Sequence, residues 1–78
     1  MDINTVIRTD PVLLAEYDRR QKAVRAWFNA QPRGTRAQCA FDLRTSPASL
    51  SGIIAGLAIS ESKLLRIERW MEEQEAVD

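Results

Sequence analysis

The residues of this 78-residue chain that could do chemistry are arginines, serines and a glutamine, clustered between positions 33 and 51. Guanidinium groups and hydroxyls donate hydrogen bonds to phosphate oxygens, and they recur in phosphate contacts. The candidate contacts of this kind are Arg33, Arg36, Gln38, Arg44, Ser46, Ser49 and Ser51. The alternative is ordinary surface chemistry, in which the arginines are solvated while Gln38 and Ser46 only cap helices.

Catalytic and metal chemistry lack their usual residues in this sequence. Cys39 is the single cysteine and the chain contains no histidine, so neither a thiolate–imidazole pair nor a zinc site is expected. No glycine-rich phosphate loop is present either. We therefore expect no enzyme activity and no cofactor, and we interpret Cys39 as a small buried core residue. A lone cysteine and the lack of a long apolar run predict a cytoplasmic protein without a membrane segment.

The formal net charge is zero, but the charges are unevenly distributed along the chain. Between Arg8 and Arg44 there are eight basic and four acidic residues, whereas from Thr45 onward there are three basic and six acidic residues. A local basic surface can bind phosphates whatever the total charge. The sequence thus predicts a basic first half and an acidic end, unless both are ordinary solvated helix faces.

Proline, glycine and capping residues divide the chain into the elements that must position these side chains. Asp10 followed by Pro11 predicts the start of a long helix, because aspartate caps a helix and proline suits its first position. The Gln-Pro-Arg-Gly segment at 31–34 ends that helix. Thr35 and Gln38 then have the spacing of a capping box at the start of a second helix.

The remaining helices are marked in the same way. Ser46 and Pro47 repeat the cap-and-proline pattern, Gly56 suits a C-terminal cap, and Ser60 can begin a last helix. Apolar residues at helical spacing predict the core: Leu13, Tyr17, Val24, Trp27, Phe28, Cys39, Ala40, Leu43, Leu50, Ile53, Ile54, Leu64, Ile67, Trp70 and Met71.

These elements predict an all-α protein, a small four- to five-helix bundle with a helix-turn-helix at about 36–43 and 47–55. Residues 1–9 have no strong pattern and are predicted to form a flexible arm. Residues 10–75 are predicted to form a single domain, and residues 76–78 to fray.

The stretch TRAQCAFDLRTSPASLSGIIAG, followed by SESKLLRIERWM, resembles the Cro/CI-type (lambda repressor-like) helix-turn-helix proteins of phages and mobile elements. The resemblance spans Thr35–Met71, about half of the chain. The family's small residue at the helix crossing falls on Ala40, and its apolar positions fall on Leu43, Leu50 and Ile53. The resemblance implies a repressor that binds operator DNA as a dimer, with the second motif helix in the major groove.

By the same resemblance, the outward positions of the reading helix are Ser46, Pro47, Ala48, Ser51, Gly52 and Ala55. None of them is an arginine, asparagine or glutamine, the residues that make bidentate base contacts. Sequence preference would then come from the serines, from neighbouring Arg33, Arg36 and Arg44, and from DNA shape. Arg44 stands where the family often has glycine, so either it takes a permissive backbone conformation or the turn differs slightly.

The sequence therefore predicts a sequence-specific repressor of double-stranded operator DNA, acting as a homodimer in a bacterial or phage-infected cell. The alternative prediction is a helical module that uses the same fold to bind a host or phage protein. The zero net charge, the acidic second half and the lack of base-reading residues on the second motif helix favour this alternative. The apolar connector Leu57–Ile59 and Trp70 could form its binding surface if they are exposed.

Overall fold

A computed structural model of the chain, which describes residues 2–76, consists of five α-helices and has no strand within that range. The helices are α1 (Ile3–Thr9), α2 (Pro11–Asn29), α3 (Thr35–Asp42), α4 (Pro47–Ala55) and α5 (Glu61–Ala76). The predicted all-α class is confirmed, and the predicted motif helices match α3 and α4 to within one residue at each end.

Ile3–Thr9, which belong to the segment predicted as a flexible arm, form the helix α1 in the structure. Asp2 caps this helix by accepting a hydrogen bond from the Asn4 amide, and Ile7 is buried in the core. The Asn4 side chain in turn accepts a hydrogen bond from the Glu61 amide at the start of α5, at 3.0 Å. A helix of this length is marginal alone, and these contacts with distant residues stabilise it.

The acidic C-terminal residues continue α5 as far as Ala76. The Glu75 carboxylate accepts a hydrogen bond from the Trp27 indole at 2.7 Å, which ties the end of α5 to α2. Of the residues predicted to fray, Ala76 is helical, while Val77 and Asp78 lie outside the described residues.

The predicted caps are confirmed at three helix starts and one helix end. The Asp10 carboxylate accepts a hydrogen bond from the Val12 amide at 2.9 Å. The Ser46 hydroxyl oxygen accepts one from the Ser49 amide at 3.1 Å, and Ser60 makes a longer contact of the same kind at the start of α5. At the end of α4, Gly56 takes the left-handed conformation expected of a C-terminal cap.

The capping box predicted at the start of α3 is wrong. Gly34 occupies the cap position with a left-handed φ of 98°, and no side chain caps the helix. The Thr35 hydroxyl instead donates to the Pro32 carbonyl at 2.8 Å. The Gln38 side-chain amide donates to the Asp42 carboxylate one turn later, also at 2.8 Å, so the side chain does not reach back to the helix start.

The core confirms the predicted apolar positions. Most are buried, and the others are partly buried around the cluster: Leu13, Trp27, Leu43 and Met71. The rings of Phe28 and Trp70 stack with their centroids 6.1 Å apart, and Trp27 meets both rings edge-on. The Trp70 indole also donates to the Asp42 carboxylate at 2.8 Å, so this aromatic cluster joins α2, α3 and α5.

The buried polar residue Gln21 fixes α4 against α2. Its side chain is almost fully buried, and its amide donates to the Ile54 carbonyl in the last turn of α4. Gly56, with a φ of 80°, follows directly, and a Cβ at this position would lie 3.1 Å from the Gln21 side-chain oxygen. Glycine thus permits both the turn and the close approach of Gln21.

Replacement of Ile7 by alanine tests whether α1 belongs to the folded domain. Because Ile7 is only 4% exposed, Ile7→Ala should lower the free energy of unfolding by about 2–4 kcal/mol in urea denaturation. Ile3 is 51% exposed in the same helix, so Ile3→Ala is the matched control and should cost less than about 1 kcal/mol. Equally small effects of the two substitutions would mean that residues 1–9 are an arm after all.

Candidate functional site

Helix α4 has one buried side and one outward side. Leu50, Ile53 and Ile54 are at most 3% exposed and pack into the core. At 100° per residue, Ala48, Gly52 and Ala55 fall on the opposite side of the helix. The predicted outward positions are exposed, except that Gly52 is half-buried: Ser46, Pro47, Ala48, Ser51, Gly52 and Ala55. The outward face of α4 therefore carries no charged side chain.

Arg44 lies in the turn before α4 with a left-handed φ of 55°, the permissive conformation that was one of the two expectations from the sequence. Its amide donates to the Phe41 carbonyl at 3.1 Å, and the Thr45 amide donates to the Ala40 carbonyl at 2.9 Å. These bonds close the C-terminal end of α3, while the Arg44 side chain is exposed. A left-handed backbone costs a residue other than glycine about 1–2 kcal/mol, so an arginine here is not the choice that stability alone favours.

Two basic residues of α5 lie beside the start of α4, and the sequence analysis missed both. Lys63 and Arg66 line a small pocket together with Thr45 and Ser49. The Arg66 guanidinium donates to the Leu43 carbonyl at 2.6 Å, which holds it next to the turn. Both residues belong to the acidic half of the chain, and only their i, i+3 spacing on one helix indicated a common face.

The candidate serines differ in their roles. Ser46 is occupied as the cap of α4, which is the ordinary role weighed for it. Ser49 and Ser51 are exposed on α4, and Ser49 lies in the same pocket as Lys63 and Arg66. Their hydroxyls are therefore placed where they can donate to a ligand.

Arg33 and Arg36 lie elsewhere, in a second pocket at the turn between α2 and α3. Arg33 is exposed. Arg36 is partly held in place, because it donates to the Asn29 side chain at 2.8 Å and lies 6.0 Å from the centre of the Phe28 ring. The structure thus forms two basic groups, which we call the α3 group (Arg33, Arg36) and the α4 group (Arg44, Lys63, Arg66). Gln38, bonded to Asp42, belongs to neither.

Helix α2 carries four basic residues, Arg19, Arg20, Lys22 and Arg25, and carboxylates neutralise two of them. Arg20 lies between Glu68 and Glu61, with nitrogen–oxygen distances of 2.5 and 2.9 Å. Hydrogen bonds to Glu68 and then to Glu61 raise the pKa of Arg20 above its already high ordinary value. Lys22 pairs with Asp18 at 2.8 Å. Within residues 2–76, by contrast, no member of the α3 or α4 group forms a salt bridge.

Cys39 is fully buried in α3, which confirms its predicted place in the core. Burial, with a smaller contribution from the Asp42 carboxylate, raises the pKa of the thiol to about 11. At neutral pH the thiol is therefore protonated and shielded, which makes it a poor nucleophile. Among the residues that the structure describes, no group of three histidine, cysteine, aspartate or glutamate side chains could hold a metal ion.

Two large apolar side chains are exposed next to the motif. Phe41 of α3 is 79% exposed, and Leu57, which follows α4, is 84% exposed. The sequence analysis anticipated Leu57 as part of an apolar connector but did not single out Phe41. Trp70 is buried, as predicted for a core residue, and hydrogen-bonded to Asp42, so it does not contribute to the surface that the protein-binding alternative gave it.

The comparisons with known proteins leave the family open. No family model matches the chain, and neither a curated protein nor a solved structure matches it. The resemblance to Cro/CI-type proteins therefore stays a prediction that depends on the motif residues. Over residues 2–76, the helices are too short or too polar for any of them to cross a bilayer.

Substitution of Arg44 separates its backbone role from its charge. Arg44→Gly relieves the left-handed strain, whereas Arg44→Ala keeps the strain and removes only the side chain. We expect the glycine variant to be more stable than the alanine variant by about 0.5–1 kcal/mol in urea denaturation. Equal stability, or a more stable alanine variant, would show that the turn does not hold this residue in a left-handed conformation.

Proposed function

We propose that this protein binds double-stranded DNA by placing the outward face of α4 in the major groove. The observation that carries the proposal is that the outward face of α4 is held in a fixed position, is uncharged and has basic residues beside it. The contacts of Leu50, Ile53, Ile54 and Gln21 fix its position, and it has no charge of its own. The α4 group lies at its start. Between Leu43 and Ser60 the chain has no acidic residue that would repel a phosphate backbone.

The two basic groups have separate roles in this proposal. The major groove is wide enough for one α-helix, and phosphates border it on both sides. The α4 group would contact phosphates beside the start of α4, and the α3 group those near the start of α3. The exposed hydroxyls of Ser49 and Ser51 would donate to phosphates or base edges. With so few hydrogen-bonding side chains on α4, DNA shape would contribute much of the sequence preference.

As a regulator, the protein would act as a homodimer that occupies an operator and blocks transcription. Two copies would place their α4 helices in successive major grooves about 34–36 Å apart, so the operator would be an inverted repeat. Dimerisation would also help a small domain whose own core provides only marginal stability.

Fluorescence anisotropy with a labelled pool of randomised 40-base-pair duplexes tests the proposal without knowledge of the operator. If the dimer neutralises about eight phosphates, about four for each protomer, affinity should fall roughly 10⁴-fold between about 50 and 200 mM salt. Arg44→Glu should weaken binding about tenfold at low salt, because it replaces an attraction by a repulsion.

Arg19→Glu is the matched control for the change in charge. Arg19 is exposed. It precedes Gln21 by two residues, which is roughly 200° around the axis of α2. Since Gln21 faces α4, Arg19 lies on the side of α2 away from α4. Its substitution should alter affinity less than about threefold. The proposal would be contradicted if the wild type did not bind the pool at low salt, or if Arg44→Glu and Arg19→Glu lost affinity equally.

A protein-binding module is the second candidate, because of the exposure of Phe41 and Leu57. Phe41 is 79% exposed within the motif, and aromatic residues are enriched at protein interfaces. Phe41→Ser should then abolish binding of a purified protein partner, while binding to the duplex pool stays unchanged. The protein-binding candidate fails if Phe41→Ser weakens DNA binding as much as Arg44→Glu does and leaves the binding of the protein partner unchanged.

A further inference from the structure

Gly52 lies in the interior of α4, where packing within the chain gives no reason for a glycine. Its φ is not left-handed, and a Cβ built there would meet no atom within 4 Å. Gly56 differs, because it needs both its left-handed φ and the space beside Gln21. Glycine is a poor helix former, so alanine at position 52 would stabilise α4. No contact within residues 2–76 opposes that substitution.

The position of Gly52 on α4 indicates that the reason for the glycine is a contact outside the chain. It is near the middle of the outward face of α4, opposite the side that Ile53 and Ile54 bury. A side chain there would extend away from the protein, into the space that a docked ligand would occupy. Without it, the backbone of α4 can approach a ligand more closely than at any residue with a Cβ.

We infer that Gly52 is the point of closest approach between α4 and the DNA groove, and that the ligand excludes a side chain there. The inference rests on the proposed function. A second α-helix packed on this face is the competing ligand. The charges favour DNA, because the chain from Leu43 to Ser60 has no acidic residue and the Arg66 guanidinium is held beside the turn.

Three variants test the inference with the randomised 40-base-pair duplex pool. Gly52→Ala should raise Tm by about 3–6 °C, since it improves helix propensity in a small domain. It should nevertheless weaken DNA binding by about threefold, and Gly52→Leu should weaken it by at least about tenfold while Tm stays at or above that of the wild type. Ala26→Leu is the control for added bulk, because Ala26 is exposed on the side of α2 away from α4. It should bind DNA like the wild type.

The possible outcomes separate this inference from the proposed function. If the wild type does not bind the pool, the proposed function fails and the inference fails with it. If the wild type binds and Gly52→Leu binds equally well, only the inference about Gly52 is overturned. A fall in Tm for Gly52→Ala would reveal a reason for glycine within the fold, which also overturns it. If Gly52→Leu instead dissociates a wild-type dimer without changing DNA binding, the ligand of this face is a second helix and the inference is wrong.

Discussion

The orientation of α4 depends on the packing of its buried apolar side chains and on one polar contact among them, between the Gln21 side-chain amide and the Ile54 carbonyl. An unpartnered polar group in a core costs about 1–3 kcal/mol, so α2 and α4 are held at the relative position that satisfies both groups. Gly56 makes this position accessible, because any Cβ there would press on Gln21. Once the buried side of α4 is fixed in this way, its outward face is fixed as well. The proposed DNA contact thus depends on a hydrogen bond on the other side of the helix.

Charge pairing inside the bundle occupies part of the positive charge of the chain. Glu61 and Glu68 pair with Arg20, and Asp18 pairs with Lys22, so two of the four basic residues of α2 are neutralised. The α3 and α4 groups, by contrast, form no salt bridge within residues 2–76. In the proposed complex, DNA would meet a few cations around a neutral helix rather than a continuous basic surface, and this would require the helix to approach closely.

Local signals predicted much of the fold, and long-range contacts account for what they missed. The cap-and-proline pairs beginning at Asp10 and Ser46 predicted two helix starts, because capping depends on neighbouring residues. The sequence did not predict α1, since that helix is stabilised through contacts such as the one between Asn4 and Glu61, 57 positions apart. For the same reason the candidate site was incomplete, because only the folded chain brings Arg66 next to the turn before α4. The buried residues of α4 were predictable from helical periodicity, whereas its outward positions were implied by the resemblance to Cro/CI-type proteins.

Chemical-shift mapping of the ¹⁵N-labelled protein during titration with the randomised duplex pool tests the central claim most directly. If α4 enters the groove, the largest amide shifts should appear at Arg44, Ser51 and Gly52, while Arg19 and Ala26 on the far side of α2 change little. Binding that shifts the amides of α2 and leaves those of α4 unchanged would contradict the account, because DNA would then contact a different surface.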